Sequence, residues 1–202
     1  MKPKTIYTFL AIGTVGLLLA LNKEPRTSAY IAINKEAGVN SSDEAFHKIM
    51  DVLTHPRCMN CHPTDNMPKQ GDSRHPHYFG MERGDDDKGF AATTCATCHQ
   101  TENNDYAGVP GAPHWSLAPA SMGWEGLSRV EIAERVLNRE TNGDRSYKEL
   151  VEHMTQDELV LWAWNPGVDA NGKLREKPPV SKEDFKKAVE FWFNNGAIIP
   201  TK

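Results

Sequence analysis

Cys58-Met59-Asn60-Cys61-His62 returns 37 residues later as Cys95-Ala96-Thr97-Cys98-His99. Both are C-x-x-C-H, the signature of covalent haem attachment, in which two thiols become thioethers and the adjacent imidazole meets the iron. The two pairs consume all 4 cysteines of the chain. None is left for a disulfide, a nucleophile or a second metal site. The competing reading is a zinc ribbon, which is also built from two C-x-x-C pairs. A ribbon has no use for a His after each pair, and its spacer is usually shorter than the 33 residues between Cys61 and Cys95. The repeat therefore predicts two c-type haems. Cys58, Cys61, Cys95 and Cys98 are the attachment residues, and His62 and His99 the proximal ligands.

The spacing also bears on architecture. A single-haem cytochrome c domain takes roughly the length of a minimal one-core domain. Tandem domains would separate their motifs by that length. At a separation of 37 residues the first haem has no complete domain of its own. Both haems are expected close together in one core, a geometry suited to a short wire or a two-electron store.

The chain of 202 residues has room for one ordinary domain or two very small ones. A net charge of −4 and a pI near 6.1 give no basic footprint, so nucleic acid is not an expected partner. Lys2 and Lys4 precede an apolar run from Ile6 to Leu21, the plan of an export signal. No small-x-small cleavage site lies close behind it, the nearest being Thr27-Ser28-Ala29. We expect residues 1–21 to be an uncleaved anchor, with a cleaved signal and a soluble product as the alternative. Residues 22–40 read as a polar tether and 41–202 as the dihaem domain. The body is expected in the periplasm, tethered to the inner membrane through its N-terminal segment.

The predicted class is mainly α: cytochrome c-like helices and long loops wrapped around two closely spaced haems. Ser41 and Glu44 form a capping box before Phe46, Ile49, Met50 and Leu53. Further boxes are expected at Ser128/Glu131, Ser146/Glu149, Thr155/Glu158 and Ser181/Asp184, each before an apolar helix face. Gly143 and Gly196 are expected just past helix ends. Residues 63–90 and 100–123 are rich in Gly and Pro and show no apolar period. Loops of that length inside a compact domain are usually functional, and these are expected to cover haem.

Each iron needs a second axial ligand. Met or His gives electron transfer, whereas an open position permits chemistry. For the first iron the expected ligand is a His of His75-Pro76-His77, with His77 ahead of His75. For the second it is Met122, on a Pro/Gly-flanked loop, with His153 in reserve. Met67, Met81, His114, His47, His55 and Met154 are the remaining candidates. The 5 tryptophans are expected to pack the core and the haem faces. Arg57 either meets a haem propionate or stays solvated. Asp85-Asp86-Asp87 lacks EF-hand spacing and reads as an exposed turn.

Several stretches resemble a family of exported bacterial dihaem cytochromes, often labelled as companions or subunits of isoquinoline 1-oxidoreductase, a molybdenum hydroxylase. They are His55 to Pro63, Gln70-Gly71-Asp72 with His75-Pro76-His77, Arg83-Gly84, Cys95 to Gln100 and Leu159 to Gly167. The resemblance covers residues 46 to 200. It implies electron transfer on c-haems between redox proteins, the donor being a dehydrogenase or a molybdenum hydroxylase. Nothing in the chain resembles a molybdopterin or iron–sulfur subunit. The function expected is thus an electron carrier rather than an enzyme. The alternative, from another class, is a small peroxidase-like dihaem enzyme with one open iron.

Overall fold

A computed structural model of the protein describes residues 39–201. The expected signal or anchor, and the tether up to residue 38, lie outside the described residues. Helix covers 39% of the described residues and strand 7%, so helix dominates.

Ser41 caps the first helix, α1 (Ser42–Leu53), accepting the Glu44 N–H on its Oγ at 3.1 Å. The Glu44 carboxylate reaches back to the Asn40 N–H at 3.0 Å, one residue before the position a full capping box uses. Two full boxes open α3 (Arg129–Leu137) at Ser128 and α4 (Tyr147–Gln156) at Ser146. A short turn, α2 (Pro56–Met59), carries the first cysteine of the first motif, and another, α5 (Glu158–Leu161), follows α4. The last helix, α6 (Lys182–Asn194), is capped by Ser181.

Two expected helix boundaries move. Thr155 does not cap α5. It lies inside α4, buried, with its hydroxyl donating back to the Val151 carbonyl at 2.7 Å. The cap is Asp157, whose carboxylate accepts the Leu159 N–H at 2.9 Å. A hydroxyl that turns back onto its own helix is not available to the next one. Gly143 also stands away from a helix end, because α3 stops at the extended Asn138 and a separate turn follows. Gly196 does follow α6. With φ +86° it closes a Schellman motif, Ala197 N–H donating to Trp192 O at 2.8 Å and Gly196 N–H to Phe193 O at 3.2 Å.

The core forms where α1 and α4 pack on α6. Phe46, Ile49 and Met50 meet Phe185, Val189 and Trp192, all at 2% exposure or less. Each such side chain is worth roughly 1.5–3 kcal/mol of transfer free energy. Met59, Met122, Trp124 and Met154 join this same cluster, which brings the first motif and the 120s loop against the helices. The long loops are braced by two small antiparallel hairpins. β1 (Lys69–Gln70) pairs with β2 (His75–Pro76), and β3 (Gly89–Phe90) with β4 (Thr93–Thr94). Among the described residues no helix is long and apolar enough to cross a membrane.

Candidate functional site

The first motif begins on α2. Pro56 presets the first helical position, and the Nδ1 of His55 accepts the Arg57 N–H at 3.2 Å. One turn then carries both thiols, with Cys61 N–H bonding back to Cys58 O at 3.1 Å. Residues 118–124 clamp the end of the turn. Ala118 N–H donates to Cys61 O at 2.9 Å and Trp124 N–H to His62 O at 2.8 Å. In return the Nδ1 of His62 donates to Met122 O at 2.7 Å. The buried Trp124 indole stacks on the His62 ring, centroids 3.5 Å apart and planes at 10°.

The second motif is built alike from unrelated neighbours. It starts where β4 ends, Cys95 N–H donating to Lys88 O at 2.7 Å, and runs through one tight turn (Cys95–Thr97). The Nδ1 of His99 donates to Pro110 O at 2.7 Å. The Trp115 indole stacks on the His99 ring at 4.5 Å and 7°, and Trp162 meets Trp115 edge-on at 4.9 Å.

A carbonyl oxygen only accepts. Both imidazoles therefore carry their proton on Nδ1 and present an unprotonated Nε2, the form in which histidine ligates a metal. Burial reinforces this by disfavouring the imidazolium. It pushes the pKa of His62 down to about 4, against the opposing pull of the Met122 carbonyl, and lowers that of His99 as well. Burial pushes the thiols up instead: Cys58 to about 12, Cys61 to about 11, and Cys95 in the same direction. Cys61 and Cys95 lie within electrostatic reach of each other, so the two motifs are neighbours. Among the described residues no three His, Cys, Asp or Glu side chains converge as a site for a metal ion.

The polar surroundings suit an anionic, largely apolar group. Arg57 is buried and paired with Asp72, which the β1–β2 turn presents, and Asn60 Nδ2 donates to Gly71 O of that turn at 3.0 Å. Arg57 is thus not the solvated residue of one sequence reading. Arg83 is buried too, bonded to Asp87 and to the Ala118 carbonyl. The Nε of each arginine and the indole Nε1 of Trp124 are buried without a partner in the chain. Buried donors are normally satisfied. Orphaned guanidinium donors beside a C-x-x-C-H turn fit the carboxylates of a haem.

The expected second ligands fall differently from the sequence reading. His77, assigned there to the first iron, stands beside His99, ring centroids 6.0 Å apart and planes at 71°. Met122, expected at the second iron, lies against the first motif: its carbonyl accepts the hydrogen bond from His62 Nδ1, and its side chain is 7% exposed in the core. His75 turns to Tyr78, rings 4.7 Å apart. His153, the reserve for the second iron, sits on α4 close enough for its charge to lower the pKa of His62. Its Nδ1 donates to the Asp157 carboxylate at 2.9 Å. His47 is exposed beside Asp43, and His114 is exposed in the left-handed region at φ +59°.

Sequence reasoning missed Asn103. Its Oδ1 accepts the Gly111 N–H at 3.0 Å and the Trp162 indole N–H at 2.9 Å, while its Nδ2 donates to Asn165 O at 2.8 Å. It fixes the Pro110–Gly111 peptide, whose carbonyl is the His99 acceptor, and the ring behind Trp115. Asn103 and Asn104 stand side by side after the second motif, and two adjacent Asn carry no periodic signal. Compared with family models, with curated proteins and with solved structures, the chain matches none of them.

Proposed function

We propose that the protein is an exported dihaem c-type cytochrome, of the exported bacterial kind that its motifs resemble, which relays single electrons between a dehydrogenase and a downstream acceptor. One observation carries the reading. Two histidines, each directly after a C-x-x-C pair, are independently locked with Nδ1 on a backbone carbonyl at 2.7 Å and a tryptophan stacked on the ring. A structural histidine needs neither the same tautomer nor the same support twice.

When bound, haem iron supplies one-electron oxidation and reduction. The chain's part is to hold and tune it. Cys58 with Cys61, and Cys95 with Cys98, provide the covalent anchors. His62 and His99 present Nε2, and the bonds from Nδ1 to Met122 O and Pro110 O keep each ring oriented and electron-rich. Trp124 and Trp115 block rotation of those rings and exclude water from one face. Arg57 and Arg83 offer buried positive charge to carboxylates.

The test is the holoprotein made with its N-terminal segment in an exporting bacterium. Acid–acetone extraction should leave haem on the polypeptide, with two haems per chain by the pyridine haemochrome spectrum. Zinc in place of haem would remove the reading.

A further inference from the structure

His77 and His99 come from different loops, yet the fold places them as partners. His77 is held by the first hairpin. Its N–H donates to Pro68 O at 2.8 Å, and the next N–H, of Tyr78, donates to Gln70 Oε1 at 3.0 Å. The Nδ1 of His77 donates to the Tyr78 carbonyl at 2.8 Å. Its proton is therefore on Nδ1 and its Nε2 is bare, the same tautomer as His99. Two bare imidazole nitrogens, 71° apart in plane, belong to rings whose centroids are 6.0 Å apart. Edge-to-face contact accounts for the tilt of the two rings, but it asks neither ring to leave its Nε2 bare.

A metal ion gives the pair a purpose. Imidazole nitrogen binds a first-row metal at about 2 Å, so two rings on opposite sides of one ion hold their centroids roughly 6 Å apart. The observed separation is that of a bis-imidazole pair. Two other candidates lack this relation: His75 faces Tyr78, and Met122 lies behind His62, with its side chain packed in the core.

We infer that His77 is the second axial ligand of the iron held by Cys95, Cys98 and His99, so that this haem is six-coordinate and bis-histidine. The assignment rests on the dihaem reading above. It makes the hairpin that follows the first motif a structural part of the second site. It also closes that iron to exogenous ligands, which removes the second site as the open iron of a peroxidase-like enzyme.

The experiment uses the full-length holoprotein and its His77→Ala and His77→Met variants, with His75→Ala as control. Covalent haem is counted first: a wild-type chain without it would sink the dihaem reading and this assignment with it. With two haems per chain, His77→Ala should convert half of the ferric low-spin signal to high-spin. The reduced variant should then bind one carbon monoxide per chain more than wild type. Should both low-spin signals survive His77→Ala, the dihaem reading stands and the assignment fails. His77→Met covers the case in which the alanine variant does not fold. Its reduced form should show one ring-current-shifted methionine methyl in the proton spectrum, with dipolar contacts to the haem on Cys95 and Cys98. Contacts to the haem on Cys58 and Cys61, or no shifted methyl, would overturn the assignment. His75→Ala should leave both low-spin signals in place.

Discussion

The Nδ1 of His62 donates to the carbonyl oxygen of Met122 at 2.7 Å, across 60 residues of chain. Met122 therefore serves the first motif through its backbone, and its thioether serves the core, at 7% exposure. Met122→Ala keeps the carbonyl and removes the packing. It should cost about 2–5 kcal/mol in unfolding free energy. Denaturant titration measures the loss. The optical spectrum of each haem, and carbon monoxide binding by the reduced protein, should stay as in wild type.

Arg57 is 2% exposed at its side chain, and its charge is met by Asp72, which solvent still reaches. Burial holds the guanidinium pKa below its usual value, and Asp72 is the first influence opposing this. Removing one member of a buried ion pair strands the other and costs about 3–5 kcal/mol. Asp72→Ala should fall near the low end, because water can partly replace the carboxylate. Thermal unfolding of the variant, beside Asp72→Asn, checks it; a cost under 1 kcal/mol would show that another anion already compensates Arg57.

Asn103 ties three groups together, and Gly111 lies against them. A Cβ at Gly111 would run into the carbonyls of Gln100 and Glu102. Asn103→Ala should cost about 1–3 kcal/mol for the partners left unpaired. Gly111→Ala should displace the Pro110 carbonyl from His99. In both variants the haem on Cys95 and Cys98 should change its reduction potential more than the other haem. Spectroelectrochemical titration of the two haems separates those effects.

Asp157 has its pKa held below the usual carboxylate value, first by the hydrogen bond from His153 and against the cost of burial. A carboxylate with a depressed folded-state pKa stabilises the fold above its unfolded value near 4, and that contribution is lost as pH falls through the folded value. Both partners are about a third exposed, so the pair is worth about 1 kcal/mol or less. Stability curves for wild type and Asp157→Asn should differ at pH 6 and converge below pH 3. A difference that persisted to pH 2 would assign Asp157 a role other than the ionised one.

The two C-x-x-C-H turns and the cap-and-face logic of the helices were legible because they are local. Two C-x-x-C-H motifs and the Ser128, Ser146 and Ser181 caps are written within a few consecutive residues. The placement of His77 was not legible, because nothing in His75-Pro76-His77 says which motif the hairpin will face. The expectation that the nearer motif takes the nearer histidine does not allow for a hairpin that sets His77 beside His99. Thr155 misled for a related reason. A hydroxyl three residues before an acid reads as a cap in any sequence, and only the continuation of α4 to Gln156 shows that it is spent within its own helix. Asn103 left no trace, since its three bonds go to residues between 8 and 62 positions away.

The acceptors behind His62 and His99 are both main-chain carbonyls. A carboxylate in that place could be deleted or neutralised by a single codon change, and the electron-donating power of the imidazole would shift at once. A peptide oxygen survives every substitution at its residue. A substitution at position 110 or 122 therefore leaves the acceptor itself in place, whatever it costs the packing around it. What selection can still adjust are the neighbours, among them the indoles of Trp115 and Trp124, the charges of Arg57 and Arg83, and the amide of Asn103.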